Sequence, residues 1–305
     1  MRIFYGINQI TNIRKPVVAL GVFDGVHLGH RKILEAAIKE AAKINGTSVV
    51  VTFDPHPQRE ESLYSLKHRL SLIAELGIGV CIVISFNKSF AKIKAEDFIK
   101  DILLDRIRAI KIIVGKDFRF GCKASGDLKT LEQLARRFNF KTKGFNIEKI
   151  NGKVISSTLI RNLIKKGNIK EAERLLGKQV SILGSVIKGR ALGRILGFPT
   201  ANINPHHEII PPVGIYAVKV KLGSKEYKGV CYIGKKPTLK NLKGKSQNSG
   251  IGVEVYIFNF NKNIYGKDLE IKFVKKFRKD KKFKNLSLLK QQIKKDVYLA
   301  RKFLS

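Results

Sequence analysis

Two histidines three positions apart, His27 and His30, lie in the stretch VVALGVFDGVHLGH at residues 17–30. An imidazole carries one donor and one acceptor when neutral and two donors when charged, so a pair on one turn can hold the oxygens of a polyanion. The apolar run 17–22 meets Gly21, Phe23, Asp24 and Gly25, then passes through Gly29 into a helical pattern over 31–43. This spacing predicts a buried strand turning sharply into a helix. Such a turn aims free backbone N–H groups and the positive end of the helix dipole beyond the sheet edge, which suits phosphate. HxxH could also be half of a metal site, but Cys81, Cys122 and Cys231 lack CxxC spacing, which disfavours metal ligation by this pair.

Three further stretches have chemical potential. VGKDFRFGCKASGD, residues 114–127, joins Gly and Ser backbone donors to the rings of Phe118 and Phe120, a combination fit for a planar ligand. ISSTLIR, residues 155–161, opens a helix with three hydroxyls and sets Arg161 one turn on; capping alone would explain Ser156 or Ser157. GRALGRILGFPTANI, residues 189–203, repeats glycine at 189, 193 and 197 with Arg190 and Arg194 between. That is too glycine-rich for a stable helix and suits a flap over phosphate, although the GKS/T of a Walker A motif is missing.

The elements that must position these residues follow from periodicity. Strand patterns at 17–22, 48–53, 80–85 and 111–114 alternate with helical patterns at 31–43, 63–76 and 95–107, which predicts a doubly wound parallel sheet. In such a sheet ligands bind beyond the carboxyl ends of the strands, so HLGH, DPHP at 54–57 and the 114–127 loop share one rim. A hairpin is expected over 147–154 about Asn151-Gly152. A helix over 170–176 ends at Gly177, and the domain boundary is set there, giving 1–178 and 179–305. Beyond it, strands at 180–186, 214–220, 226–233, 252–260 and 269–273 follow one another with no helix between. They predict an antiparallel barrel, capped by a terminal helix with Leu286, Leu289, Ile293, Val297, Ala300 and Leu304 on one face.

HxGH between strand and helix is shared by nucleotidyltransferases and class I aminoacyl-tRNA synthetases, whereas the longer GVFDGVHLGH resembles the adenylyltransferase half of the prokaryotic bifunctional riboflavin kinase/FAD synthetase family. The resemblance implies that His27 and His30 hold the ATP triphosphate, with Gly21, Phe23, Asp24, Gly25 and Gly29 shaping the nucleotide site. The 114–127 stretch resembles the family's FRFGxxxxGD loop, which implies Asp117, Phe118 and Asp127 as flavin contacts together with Phe53 and Pro55. ISSTxxR matches the second phosphate-binding element, which implies that Ser157, Thr158 and Arg161 hold the β- and γ-phosphates and that Arg161 steadies departing pyrophosphate. GRALGRILGFPTAN resembles the riboflavin kinase signature. It implies Gly189, Arg190, Gly193, Arg194, Gly197 and Pro199 around the nucleotide, and Thr200 and Asn202 as ligands of nucleotide-bound Mg²⁺, a hard cation.

Segments 212–217, 229–238 and 253–256 resemble kinase-module segments in the family order, and Glu254 is the implied general base. On a strand, Val253 and Val255 point the other way, so the Glu254 carboxylate is expected to face the barrel mouth. The sequence departs from the family at Tyr232 for Asn, Tyr256 for His, Asn259 for Asp, and Asp280 for the acid of an Arg-x-Glu segment. The implied activities are ATP-dependent phosphorylation of riboflavin to FMN and adenylylation of FMN to FAD with release of pyrophosphate.

The 305 residues, 44% hydrophobic, can bury two ordinary cores. No apolar run reaches membrane-spanning length and the N-terminus lacks a signal-peptide pattern, so no membrane partner is expected. Three unpaired-looking cysteines argue for reduced thiols and a cytoplasmic location. The net charge of +36 suggests a polyanion partner, but lysine is spread through every segment of a chain also rich in Ile and Asn, as biased codon usage would produce. With no RNP, KH, zinc-finger or helix-turn-helix signature, no specific nucleic-acid partner is expected, and the chain is read as a monomer or weak oligomer. Two rivals are an HxGH-type aminoacyl-tRNA synthetase fragment, against which stands the lack of a KMSKS-like loop, and a basic nonenzymatic RNA-binding protein. ATP consumption stimulated by riboflavin, by tRNA with an amino acid, or by neither separates the three.

Overall fold

The computed structural model describes residues 1–55, 62–146, 148–150, 152–189, 192–235 and 250–305. They form two compact units: Met1–Ser62 with Leu66–Leu159, and Leu63–Ser65 with Ile160–Ser305.

The first unit runs β1 (Arg2–Tyr5), β2 (Pro16–Leu20), α1 (Leu28–Lys43), β3 (Thr47–Asp54), α2 (Leu66–Glu75), β4 (Val80–Ser85), α3 (Ala95–Asp97, continued as a π-helical stretch Phe98–Arg106), β5 (Lys111–Gly115), α4 (Leu128–Arg137) and β6 (Lys141–Phe145). Its sheet is parallel with order β1-β4-β3-β2-β5-β6. All five residues of β2 are buried because both faces of the sheet are covered. Val18 and Leu20 enter a core with Ile82 and Phe98, while Val17 and Ala19 enter the opposite one with Leu34 and Ala37 of α1. From β2 the chain builds outward through β3 and β4 on one side, and β5 and β6 lie on the other. The topological switch point therefore falls at the carboxyl end of β2, where doubly wound sheets bind ligands.

The small hairpin β7 (Lys149–Ile150) and β8 (Lys153–Val154) lies where Asn151-Gly152 predicts it, though Asn151 itself falls outside the described residues. Two helices follow, α5 (Ser157–Lys165) and α6 (Ile169–Leu176), the latter ending on Gly177 in the left-handed region.

The second unit continues with β9 (Ser181–Ile187), α7 (Leu192–Ile195), β10 (Ala201–Asn204), β11 (Gly214–Leu222), β12 (Lys225–Lys235), β13 (Ile251–Ile257), β14 (Asp268–Arg278) and α8 (Leu286–Leu304). The strands close into an antiparallel barrel of order β10-β13-β12-β11-β14-β9. Its interior holds Ile182, Val218, Val253, Val255 and Phe273. Helix α8 covers one outer wall, with Ala300 and Leu304 packed on Ala217 and Phe258. The expectation that no helix interrupts this half is corrected by α7: between Gly189 and Gly197 the residues Leu192–Ile195 make a single helical turn. Gly193 lies within this turn, and a single turn bears the roughly 1 kcal/mol cost of one interior glycine.

Candidate active sites

In the first unit, His27 is the N-cap of α1, and its Nδ1 accepts from the His30 N–H at 3.3 Å. An accepting Nδ1 leaves the proton of a neutral His27 on Nε2. The two rings stack with centroids 3.6 Å apart at 18°, and Phe23 meets His30 edge-on at 5.4 Å. Gly29 is seated under the His27 ring, with room for no more than ordinary contact. His30 is half-buried as a residue, but its Nδ1 is sealed from solvent and has no hydrogen-bond partner among the described residues. Burial first, then the neighbouring His27 and Arg69, holds the His30 pKa well below the ordinary imidazole range. The ring is therefore neutral at pH 7.

The loop that carries this pair is conformationally costly. Phe23, Gly25 and Val26 have φ of 55°, 91° and 43°, and only Gly25 adopts such a backbone without strain. Gly21 N–H still donates to Val51 at 3.1 Å, Asp24 is buried, and the Asp24 carbonyl accepts the Ser157 hydroxyl at 2.7 Å. The N-cap of α5 is Ser156, whose Oγ accepts from Leu159 N–H at 3.2 Å. Ser157 thus braces the HLGH loop, Thr158 is exposed, and Arg161, one turn further along α5, is buried.

Among the flavin candidates, Phe53 is 5% exposed, with its ring in the core against Phe86, Phe90 and Phe98. On a strand buried on both faces, the last aromatic before the rim is drawn inward by the apolar area it removes from water. Pro55 and Asp117 are exposed, and Phe118 is half-buried and stacked on Phe120 at 6.1 Å. Asp127 is the N-cap of α4: Oδ1 accepts from the Thr130 N–H and hydroxyl at 2.9 and 3.0 Å, while Oδ2 pairs with Arg119 at 2.8 Å. Those bonds, the backbone one foremost, lower its pKa to about 2.

In the second unit, Thr200 Oγ1 donates to Glu254 Oε2 at 3.1 Å. Asn202, 8% exposed, faces Glu254 across the β10–β13 ladder, and Tyr232 faces it from β12. A hydroxyl, an amide oxygen and a carboxylate thus share one patch of the barrel wall. A Cβ on Gly189 would run into the Asn202 side chain, so the chain passes close over the patch. The Gly193 carbonyl accepts from Phe198 N–H at 2.7 Å, Gly197 has φ of 86°, and Arg190 lies outside the described residues. Beside the patch, Arg194, Pro199, Thr200, Val255 and Ile257 with segment 260–265 line a cavity of about 590 Å³. The expected orientation of Glu254 needs correction. Val253 and Val255 fill the barrel interior and Tyr256 packs with the α8 cluster, so strand alternation sets Glu254 on the outer wall instead of in the mouth.

The departures from the family pattern acquire partners. Tyr232 OH donates to Asp280 Oδ2 at 3.1 Å, and burial, then Asp280, pushes the phenol up to about 12. Tyr256 packs edge-on against Phe198 at 5.5 Å, and Asn259 accepts from Arg301 at 3.2 Å.

Residues 9–159 match the family model described as FAD synthetase and residues 176–304 the one described as riboflavin kinase. A bifunctional riboflavin kinase/FMN adenylyltransferase of Buchnera aphidicola subsp. Schizaphis graminum is 36% identical over 100% of this chain and 99% of its own. The chain belongs to the bifunctional riboflavin kinase/FMN adenylyltransferase family. Relatives of the same description include that of Haemophilus influenzae, 34% identical over 100% of both chains, and that of Bacillus subtilis, 35% identical over 95% of this chain and 93% of its own. A solved structure titled a macrolide-efflux protein from Streptococcus pneumoniae shares the architecture, with TM-score 0.82, 28% identity and 99% of each chain covered. Among the described residues of this chain, no helix is long and apolar enough to cross a membrane. Like its family, the chain phosphorylates riboflavin to FMN and adenylylates FMN to FAD, using ATP in both steps.

Sequence reasoning missed two features of this bifunctional enzyme. Arg69, 3% exposed on α2, reaches the ends of both β2 and β3; a lone arginine in a helical pattern gives no sign that it points inward. The Tyr232–Asp280 bond joins two departures 48 residues apart, a pairing no local pattern signals.

Proposed function

We propose that His27, His30 and Arg161 carry the adenylyl transfer and Glu254 the phosphorylation, with the functional division at 178/179. The stacked imidazole pair His27–His30 at the start of α1 carries this reading for the first site, since the first N–H groups and the dipole of a helix favour an anion there. The FMN phosphate attacks the α-phosphorus of ATP, the new P–O bond forms as the bond to pyrophosphate breaks, and an already anionic nucleophile needs no base. His27 Nε2–H and the neutral His30 offer donors to the phosphates, and Arg161 balances charge on the leaving group. Phe118 and Asp117 receive the flavin, and Asp127 shapes their loop through its helix cap.

For the second site the supporting observation is the 3.1 Å bond from Thr200 to Glu254. Glu254 accepts the proton of the ribityl hydroxyl as that oxygen attacks the γ-phosphorus and the bond to departing ADP breaks, while the glycine-rich segment 189–197 with Arg194 and Pro199 covers the nucleotide. The donors of this patch are all hard oxygens and fit Mg²⁺, with Thr200 and Asn202 as the residues that would hold it. When bound with ATP, Mg²⁺ supplies charge neutralisation on the transferred phosphoryl group. The enzyme works in the cytoplasm, a reading that three free cysteines support, and acts as a monomer or weak oligomer without a specific nucleic-acid partner. Separate assays of FMN and FAD formation in Glu254→Gln and His30→Ala chains test the assignment: each substitution should disable one reaction and spare the other.

A further inference from the structure

The parallel ladder between β2 and β3 ends at Leu20–Val51, with one more bond from Gly21 N–H to the Val51 carbonyl at 3.1 Å. Beyond it the two chains diverge, β2 into the HLGH loop and β3 into Asp54-Pro55. A guanidinium closes this gap. Arg69 Nη1 donates to the Val22 carbonyl at 2.8 Å and lies 3.4 Å from Thr52 Oγ1, and Nη2 donates to the Phe53 carbonyl at 3.2 Å and to Asp54 Oδ1 at 3.1 Å. Thr52 Oγ1 also donates to the Val22 carbonyl at 2.9 Å.

We infer that Arg69 is a positioning residue for adenylyl transfer, a rigid fork that replaces the missing ladder bonds and fixes the spacing of the triphosphate loop and the flavin segment. The inference rests on the assignment of these two loops made above. Val22 immediately precedes the positive-φ residue Phe23, and a strained loop persists only where its surroundings over-determine it. A buried cation is costly against an apolar residue of similar size, and the other buried positions of α2 are His68, Leu70 and Ile73, all uncharged or weakly basic beside a permanent cation. Packing alone would be served by leucine. The planar, divergent donors of arginine reach two carbonyls on two chains at once, which a lysine ammonium on its single stem cannot reproduce.

The test is steady-state kinetics of Arg69→Met and Arg69→Lys in the full chain, with the folded fraction of the first unit read from its unfolding transition and riboflavin phosphorylation by the same sample as a control on the second unit. Arg69→Met is expected to raise the KM for both ATP and FMN and to lower kcat for FAD formation by about a hundredfold, the scale of a misplacement near 1 Å. Phosphorylation of riboflavin should be unchanged, and Arg69→Lys should recover part of the loss. A purely structural role predicts instead that FAD formation falls only with the fraction folded at unchanged KM, and that result overturns the inference, as do wild-type kinetics. Should Arg69→Met not fold, Arg69→Lys decides: both KM values unchanged refute the positioning role. His30→Ala measured alongside tells the two failures apart, because an active His30→Ala chain sinks the site assignment and an inactive one beside a normal Arg69 variant sinks only this inference.

Discussion

Exchanging Glu254 for glutamine alters one proton acceptor and little else. The side chain keeps its length, and the Thr200 hydroxyl that donates to Oε2 at 3.1 Å can donate equally to the amide oxygen. What weakens is a charge-assisted hydrogen bond, a change of about 1 kcal/mol. The barrel interior, filled by Val253 and Val255 on the other face of the strand, is untouched, so the melting temperature should hardly move. Loss of a general base, by contrast, slows proton transfer by roughly two to four orders of magnitude, about 3–5 kcal/mol of barrel-site transition-state stabilisation. FMN formation from riboflavin and ATP should fall by that factor with little change in KM for ATP, while FAD formation from supplied FMN stays near wild type. The reasoning is refuted if Glu254→Gln phosphorylates riboflavin at more than about a tenth of the wild-type rate, or if both reactions fail in a chain that melts normally.

Four further outcomes are expected. His30→Ala removes a donor at the developing phosphate charge, so FAD formation should drop by about a hundredfold or more and FMN should accumulate from riboflavin, as chromatography of the products would reveal. Burial holds the His30 pKa below its unfolded value of 6.5; below about pH 6.5 the unfolded chain therefore binds the extra proton, and stability should fall as pH drops until the folded ring also titrates. Urea titrations from pH 7.5 to 5 should show that decline, and a His30→Phe chain with the same decline would contradict its origin. Chelation should stop both reactions and Mg²⁺ restore them, while elemental analysis finds no stoichiometric zinc, as expected of hard oxygen ligands. Asp127→Asn keeps a competent N-cap but loses the Arg119 pair; KM for FMN should stay within about twofold of wild type, and a larger rise would make Asp127 a direct flavin contact.

The sequence by itself determined the two halves and the chemistry of each. Residues 17–30 could be read because a strand buried on both faces is an unbroken apolar run and the histidines that follow it are neighbours in the chain. Residues 189–203 were legible for the same reason: glycines, arginines and the Thr-Ala-Asn stand in one continuous segment. Edge strands were not legible. β1 is mostly exposed and β6 reads KTKGF, and an edge with one open side needs no apolar run.

Only tertiary structure decided how side chains far apart in sequence divide the work. Phe53 turned inward because three other phenylalanines wait beneath it. Ser157 spent its hydroxyl on a carbonyl 133 residues away, and barrel closure set which wall Glu254 faces. Arg69 shows the limit most plainly: its helix pattern says that the residue is polar, and only the divergence of β2 from β3 supplies two carbonyls for a buried guanidinium to join. Covalent spacing fixes which groups can meet within one turn or strand, whereas the partner of a buried polar group depends on which other elements reach it after the chain has folded.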